Sequence, residues 1–353
     1  MVTKKKNSKL KLFLKIFFSV ILILIISGGI IGYHYYKKIY YPNIIVKDKD
    51  YLYIPTGSTF QDVVRIIENR RLVKDINSFE WVAELKKYPE KVRAGKYLLR
   101  KNMNNNELVN LLRAGLQTPV MVVFNNARTK EQLAGKVSKN IEADSSHVIS
   151  LLDSDSFVTK YGFNSESIMT MFIPNSYELF WNTSAEQFFD RIATEYKQFW
   201  SDERKNKAKS LGLSQSEVSI LASIVEQETI KKDERPRVAG VYLNRLKKKI
   251  LLQADPTVIY AMGDFTIKRV LREYLNYDSP YNTYKYVGLP PGPICLPSIS
   301  SIDAVLNSEK HDYIFFCAKE DFSGYHNFAK TAEQHGINAV KYRMALNKRK
   351  IYK

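Results

Sequence analysis

The most informative stretch of the sequence is LSQSEVSILASIVEQET, which runs from Leu213 to Thr229. Ser214 is followed three residues later by Glu217, which is the capping-box pattern, so we predict a helix that begins there. Successive residues of a helix are 100° apart, and this spacing separates an apolar face from a face of small side chains.

Two glutamates near the end of this predicted helix lie on different faces. Glu226 shares its face with three small residues, Ser219, Ala222 and Ser223, which leaves room for a substrate beside the carboxylate. Partial burial there would raise the pKa of Glu226 toward the range of a general acid, and a solvated surface glutamate is the alternative. Glu228 lies on the apolar face and needs a partner. The next predicted helix, which Pro236 opens, carries the candidates Arg237 and Arg245, so that Glu228 would hold the two helices together.

Loops rich in tyrosine and proline follow this helix pair. The first is LQADPT, from Leu252 to Thr257, and the later segments are SPYNTY, ending at Tyr284, and GLPPGP, ending at Pro293. Tyrosine rings next to amide and hydroxyl groups suit a sugar, whose ring faces are apolar and whose rim carries hydroxyls. A tyrosine-rich loop that packs on the core is the alternative.

The N-terminal region predicts a membrane anchor. Residues 1–15 are a basic tail with six lysines and no acid, and residues 16–36 are an apolar run long enough to span a bilayer as one helix. The positive-inside rule then predicts a cytoplasmic N-terminus and an extracytoplasmic remainder. A cleaved signal peptide is the alternative, but its apolar region would be shorter and would end at a cleavage site.

The overall charge fits an envelope protein better than a nucleic-acid binder. The 353 residues carry a formal charge of +18, of which +12 remains beyond residue 36. A chain exported through the membrane meets anionic polymers and lipid headgroups instead of genomic DNA. We therefore expect no nucleic-acid partner.

The expected fold class is α+β, in several parts. Residues 37–50 are a linker, and residues 51–117 read as strand–helix–helix–strand with a closing helix, in which Ser58 or Thr59 caps the first helix. This βααβ order resembles a LysM-like module, a class that binds cell-wall glycans, and a spacer without a ligand is the alternative. Residues 118–353 are expected to form a mixed α+β catalytic domain.

Four motifs in order carry a specific resemblance. They are ASIVEQET (ending at Thr229), LQADPTV, SPYNTY and GLPPG. Together they resemble the MltG (YceG-like) family of membrane-anchored endolytic murein transglycosylases over essentially the whole chain beyond the anchor. By that resemblance the catalytic acid falls on Glu226. The substrate-binding positions are Gln253, Asp255, Tyr281, Asn282, Thr283, Tyr284 and His326, the last as a groove-wall or structural residue.

One motif departs from the family pattern. Where many members have Phe-Pro-Asp-Thr-Tyr, this chain has Ile173-Pro-Asn-Ser-Tyr177. Asn175 therefore replaces an acid, and any charged role at this position is lost. We expect Asn175, like Glu228 and Arg245, to support the site.

The resemblance implies a reaction that needs a single carboxyl group. A glycosidase uses two carboxylates, whereas a lytic transglycosylase uses one glutamate as acid and then as base, and leaves a 1,6-anhydro-muramic acid end. A muramidase-type hydrolase with Asp255 as second carboxylate and a non-catalytic glycan-binding anchor are the alternatives. The implied partners are peptidoglycan glycan strands and penicillin-binding protein synthases, with cutting that ends strand elongation.

No cofactor or metal is expected. The sequence has no His-Glu-x-x-His, no Cys-x-x-Cys and no phosphate-binding glycine loop, and its five histidines are scattered. The two cysteines, Cys295 and Cys317, are as compatible with free thiols as with a disulfide.

Overall fold

The structure is a computed structural model that describes residues 3–349, with side chains from residue 9 onward. Residues 1–2 of the predicted basic tail and residues 350–353 of the predicted catalytic domain lie outside the described residues. The helices are α1 (Thr3–Tyr40), α2 (Phe60–Asn69), α3 (Ile76–Leu85), α4 (Asn105–Ala114), α5 (Lys130–Ser138), α6 (Ser145–Asp153), α7 (Asp155–Val158), α8 (Ala185–Phe199), α9 (Asp202–Ser210), α10 (Gln215–Glu228), α11 (Arg235–Lys247), α12 (Asp255–Met262), α13 (Ile299–Leu306) and α14 (Ala332–Lys348). The strands are β1 (Lys49–Ile54), β2 (Gly95–Arg100), β3 (Val120–Phe124), β4 (Asn175–Leu179), β5 (Phe315–Ala318) and β6 (His326–Ala329).

The chain divides into two compact units, and the predicted α+β class is confirmed. The first unit comprises Met1–Val120 with Phe180–Asn182, and the second comprises Met121–Leu179 with Thr183–Lys353. Three two-stranded sheets are present among the described residues, namely β1–β2, β3–β4 and β5–β6. Among the described residues of the second unit, helices therefore hold many more residues than strands do.

Helix α1 is continuous over 38 residues and exposes its apolar side chains. Within residues 3–349 it holds the one segment long and apolar enough to cross a membrane, Lys9–Tyr40. The predicted span, residues 16–36, lies inside this segment.

The first unit has the predicted strand–helix–helix–strand order. Strands β1 and β2 pair antiparallel, and α2 and α3 lie between them in the chain. Of the two predicted caps, Ser58 and Thr59, the N-cap of α2 is Thr59, which forms a capping box with Asp62. The LysM-like character of the unit stays a prediction.

Residues 37–50 differ from the expected linker. Residues up to Tyr40 form the end of α1, and three of the next six side chains, Asn43, Ile44 and Val46, are buried. The Asn43 amide donates to the carbonyl of Asp75 at 2.9 Å and to Oδ1 of Asn105 at 2.8 Å. The segment therefore packs into the unit because its polar and apolar groups both find partners there.

Helix α10 forms the centre of the second unit. Its capping box between Ser214 and Glu217 is present, as predicted. Residues 218–225 are all buried, so the helix is covered on every side, with α11 and α13 among its neighbours. The hairpin β5–β6 is antiparallel, with Phe316 opposite Phe328, and α14 packs against it.

Candidate active site

A cavity of about 400 Å³ lies where α10 ends and α12 begins. Its lining is Glu228, Tyr242, Arg245, Leu252, Gln253, Asp255, Tyr284, Phe315, Phe316 and His335. Five of these residues, Glu228, Arg245, Gln253, Asp255 and Tyr284, are among those singled out by the sequence. Aromatic walls with a few converging polar groups are typical of a small-molecule site.

Glu228, the last residue of α10, is the cavity carboxyl with the most perturbed acidity. Its Oε1 accepts a hydrogen bond of 2.7 Å from the Tyr242 hydroxyl. Burial raises the pKa of Glu228 to about 7, and the Asp255 carboxylate adds to the rise, against the lowering effects of Tyr242, His326 and Arg245. At neutral pH a large fraction of this carboxyl group therefore carries a proton.

Glu226 lies in a closed network of hydrogen bonds. Its Oε2 accepts from the Ser298 hydroxyl at 2.5 Å and from the Ser301 hydroxyl, while Oε1 accepts from Arg235 at 3.2 Å. The Glu226 side chain is 14% exposed and that of Arg235 is 6% exposed. Burial alone would raise the pKa of Glu226, but the serine hydroxyls and Arg235 outweigh it and leave the pKa lowered.

Two expectations for Glu226 are therefore wrong. The pKa moves down instead of up, because donors from the starts of α13 and α11 stabilise the carboxylate. The face of small residues is also covered instead of open. The Ser223 hydroxyl accepts from the backbone N–H of Ile294 at 3.0 Å, and α13 packs closely on this face. Small side chains here permit close helix packing.

The partners predicted for Glu228 also differ. Arg237 pairs with Glu309 at 2.9 Å, not with Glu228. Arg245 lines the cavity, but it donates to the carbonyls of Leu251 and Leu252 and to Oε1 of Gln253, at 3.0, 2.9 and 3.1 Å. Arg245 thus fixes the loop that carries Gln253, and Tyr242 is the residue that joins α11 to Glu228.

Asp255 and Tyr284 face the same cavity as a hydrogen-bonded pair. The Tyr284 hydroxyl donates to Oδ1 of Asp255 at 2.5 Å. Asp255 is the first residue of α12, where the helix dipole favours a negative charge. Burial and then Asp255 raise the pKa of Tyr284, so its hydroxyl stays protonated and can donate.

The remaining loop residues are structural supports. Asn282 is 0% exposed and donates to the carbonyls of Leu275 and Tyr277 at 2.9 and 2.7 Å. Thr283 is 1% exposed and accepts from the backbone N–H of Ala254 at 3.0 Å. Neither side chain lines the cavity, contrary to the expected substrate contact, because both are consumed in holding the loops together.

Tyr281 and two other predicted residues also lie outside the lining of this cavity. The Tyr281 hydroxyl donates to Glu166 at 2.9 Å. Glu234 holds His326 in place: it accepts a hydrogen bond from the backbone N–H of His326 at 2.8 Å and is hydrogen-bonded to Nδ1 of His326 at 2.7 Å. His326 contacts the cavity wall through Phe316, with ring centroids 5.2 Å apart. Asn175 is exposed, and its side chain accepts from the adjacent Ser176 N–H.

A second cavity of about 190 Å³ adjoins the same helix ends. Its lining is Arg128, Gln227, Pro256, Ile259, Tyr260, Phe265, Ile267 and Ile294. Arg128 donates to Gln227 at 2.7 Å. Gln227 and Pro256 are the sequence neighbours of Glu228 and Asp255, which line the first cavity.

Several site residues have no signal in the sequence. Ser298 precedes a helix, as an N-cap serine does, but nothing local indicates that it contacts a glutamate 72 positions away. Tyr242 reads as an ordinary apolar-face residue of α11, and Phe315, Phe316 and His335 read as parts of a hairpin and a helix. Their roles follow from tertiary contacts alone.

Cysteine and metal chemistry add little at this site. Cys295 is buried, Cys317 is half-buried and both are free thiols, so the open question of a disulfide is answered in favour of free thiols. Within residues 3–349, no group of three or more His, Cys, Asp or Glu side chains could hold a metal ion.

Comparison with known proteins places the chain in a family. A model of the YceG-like family matches residues 52–341. The endolytic murein transglycosylase of Bacillus subtilis (strain 168) is 31% identical over 313 residues, covering 84% of this chain and 85% of that protein. The protein of the same name from Streptococcus pneumoniae serotype 2 (strain D39) is 30% identical, covering 92% of this chain but only 64% of its own length. A yceG-like protein from Listeria monocytogenes, solved by crystallography at 2.6 Å, is 28% identical with a TM-score of 0.54, covering 83% of this chain and 99% of that one. The chain belongs to the YceG-like family.

Proposed function

We propose that this protein is a membrane-anchored endolytic murein transglycosylase. It cleaves the bond between N-acetylmuramic acid and N-acetylglucosamine inside nascent glycan strands and leaves 1,6-anhydro ends. The observation that carries the proposal is Glu228, whose carboxyl group faces an aromatic-walled cavity with its pKa raised to about 7. The names of the relatives from Bacillus subtilis and Streptococcus pneumoniae support the same reaction class.

The reaction uses the Glu228 carboxyl group twice. In the first step it gives its proton to the glycosidic oxygen as the bond from that oxygen to C1 of muramic acid breaks. The carboxylate then takes the proton of the muramic acid 6-hydroxyl, whose oxygen forms the new bond to C1. The proton returns to Glu228, water takes no part, and the enzyme ends in its starting state.

The acid role fits Glu228 better than Glu226, to which the motif alone assigned it. Glu226 is ionised, and its carboxylate accepts four hydrogen bonds. Two come from Ser298, one from Ser301 and one from Arg235. An acid must carry a proton and meet the substrate, and Glu226 fits neither condition. Glu226 instead ties the end of α10 to α13 and to the start of α11, which positions Glu228.

The other cavity residues have binding and orienting roles in this account. Asp255 accepts from Tyr284 and lies near enough to Glu228 to raise its pKa, so it keeps the acid protonated. Gln253, held by Arg245, offers amide hydrogens to sugar hydroxyls. The walls formed by Phe315 and Phe316 suit the apolar faces of sugar rings. Tyr281 packs on Tyr260, a lining residue of the smaller cavity, which extends the proposed groove.

Helix α1 anchors the enzyme, with its basic N-terminal end in the cytoplasm and residues after Tyr40 outside. The lysines at 9, 11 and 15 precede the apolar run, which supports this direction. Anchoring keeps the enzyme beside newly polymerised strands. Penicillin-binding protein synthases are therefore the expected neighbours, and cutting there ends strand elongation.

A muramidase-type hydrolase is the second candidate, because Asp255 supplies a second carboxylate at the same cavity. In that reaction water attacks C1 and the product has a reducing end. A non-catalytic glycan-binding anchor is the third candidate.

Mass analysis of products distinguishes the three. Full-length protein in detergent micelles is incubated with uncrosslinked glycan strands. Internal fragments whose ends are one water lighter than reducing ends support the transglycosylase. Reducing ends overturn it in favour of the hydrolase, and binding without cleavage by folded protein favours the anchor.

A further inference from the structure

The basic side chains of the first unit include a cluster that the proposed reaction does not use. Residues 37–120 carry 16 Lys and Arg against 9 Asp and Glu, a net charge of +7. A cavity of about 340 Å³ on this unit is lined by Lys91, Arg93, Asn110, Arg113 and Ala114. Among the described residues of the unit, the ion pairs are Arg65–Asp62 and Arg70–Asp50, which leaves the cations of this cavity uncompensated.

The cluster is held in place by local structure. The Arg93 side chain lies across Gly115, where an added Cβ would come within 2.6 Å of the Arg93 Cδ. Gly115 also ends α4 with a φ of 69°, a conformation that favours glycine. Beside the cavity, Lys86 donates to Oδ1 of Asn106 at 2.5 Å and to Oδ1 of Asn110 at 2.7 Å.

The charges in this cluster repel one another. Burial, and then the nearby Arg113 guanidinium, lowers the pKa of Lys86. A concave surface that carries several cations without carboxylate partners is suited to an anion with several oxygens, because arginine binds phosphate oxygens in pairs.

Two helices beside the cluster, α3 and α4, contact the end of α1. The Tyr35 ring stacks on Trp81 with centroids 5.0 Å apart. The Asn105 amide donates to the carbonyl of Lys38 at 2.9 Å, and the next residue, Asn106, accepts from Lys86. Eight residues separate Asn105 from Arg113, about 12 Å along α4.

Whatever the angle between α4 and the membrane, this length is the most by which the Arg113 backbone can lie farther out than Asn105, and it is within reach of a membrane surface. The headgroup layer is about 5–7 Å deep on each side of the hydrocarbon core, and the surface potential extends a further ~8 Å. Trp81 contacts α1, and Leu85 lies one turn later on the same side of α3. The Leu85 side chain is 59% exposed. An exposed apolar side chain beside lysines is typical of a membrane-interface contact.

We propose that Lys86, Lys91, Arg93 and Arg113 bind phosphate groups of anionic phospholipid headgroups, so that the first unit rests on the membrane from which α1 emerges. This inference rests on the membrane anchoring in the proposed function and is independent of the glycan chemistry. It gives the first unit a lipid-binding role whether or not the unit binds glycan.

Hydrogen exchange on full-length protein in lipid nanodiscs tests the proposal. Discs of phosphatidylcholine alone are compared with discs that also contain phosphatidylglycerol. Amide exchange in residues 84–93 and 110–116 is expected to slow by about fivefold or more in the anionic discs. The triple variant Lys91→Gln, Arg93→Gln, Arg113→Gln is expected to lose this difference.

A matched variant, Arg65→Gln, Lys74→Gln, Lys101→Gln, removes the same charge outside the cavity and is expected to keep the difference. Equal exchange in both lipids, or equal loss in the matched variant, would overturn the proposal. Protection by inorganic pyrophosphate in neutral discs, with none from anionic lipid, would also overturn it by assigning the cavity to a soluble phosphate.

Failure of the proposed function gives a different result. Glu228→Gln is expected to keep the lipid-dependent protection while losing cleavage. Protein that does not co-elute with the discs contradicts the anchoring itself, and this inference falls with it.

Discussion

The Tyr242 hydroxyl donates a 2.7 Å hydrogen bond to Oε1 of Glu228, so a side chain from the middle of α11 fixes the carboxyl group at the end of α10. Burial and Asp255 favour the protonated carboxyl group, Tyr242 favours the carboxylate, and the balance is a pKa of about 7. A group with this pKa gives and accepts a proton with similar ease, which one residue acting as acid and then as base requires.

The pH dependence of cleavage should follow Glu228. The free enzyme needs the protonated carboxyl group, so kcat/KM is expected to fall about tenfold per pH unit above a pKa of about 7. A pH–rate profile on soluble glycan strands measures this limb. A rate that stays flat to pH 9 would contradict the assignment of Glu228 as the acid.

Removing the Tyr242 hydroxyl should shift the pH at which kcat/KM begins to fall. Tyr242→Phe deletes a hydrogen bond to the carboxylate form, so the pKa of Glu228 rises and the falling limb shifts by about one pH unit toward higher pH. The matched control is Tyr196→Phe, a buried tyrosine of the same unit outside both cavities. An unchanged limb in Tyr242→Phe would show that this bond does not set the acidity.

Glu226 should contribute to the free energy of unfolding. Glu226→Ala leaves the Arg235 guanidinium, 6% exposed, without its carboxylate, and is expected to lower the free energy of unfolding by about 3 kcal/mol. Because the folded pKa of Glu226 lies below its unfolded value near 4.5, this stability is complete above that pH and is lost as pH falls through the folded pKa. Urea unfolding at several pH values measures the difference.

Glu228→Gln should change stability in the opposite direction. The folded pKa of Glu228 lies above its unfolded value, so ionising the carboxyl group costs stability as pH rises toward and beyond 7. The glutamine variant is therefore expected to unfold at a higher temperature than the unmodified protein at pH 8, with the gain vanishing near pH 4. Lower stability at pH 8 would refute the raised pKa.

Asn282 should matter for folding and not for substrate binding. Asn282→Ala removes two hydrogen bonds made by a side-chain amide that is 0% exposed, and is expected to destabilise the second unit by about 1–3 kcal/mol. The folded fraction should keep its KM. Tyr284 lines the cavity. Tyr284→Phe is therefore expected to change kcat/KM, with a smaller loss of folding free energy than Asn282→Ala. A raised KM in folded Asn282→Ala would restore its role as a substrate contact.

The sequence predicts structure correctly where the interactions are local. The capping box at Ser214 and Glu217 and the cap at Thr59 are present, because each depends on residues within one turn. The aromatic and carboxylate residues of the two motifs LQADPTV and SPYNTY meet as Asp255 and Tyr284. The loop expected over residues 252–257 ends at Ala254, because α12 already begins at Asp255.

The surroundings of Glu226 could not be predicted in the same way. Its helix face looked open because the side chains there are small, but α13 supplies Ser298 and Ser301 from more than 70 positions away. Those donors reverse the expected direction of its pKa. The roles of the two glutamates therefore depend on tertiary partners, which periodicity along one helix does not reveal.

Cleavage rates of Glu228→Gln and Glu226→Gln, measured side by side on the same glycan strands, show which glutamate is the acid. Both variants keep the side-chain volume, and circular dichroism checks that both are folded. Cleavage is expected to fall by at least about 10²-fold in Glu228→Gln, with anhydro ends still formed by Glu226→Gln at a reduced rate. Full activity in Glu228→Gln with none in folded Glu226→Gln would contradict this expectation and return the acid role to Glu226.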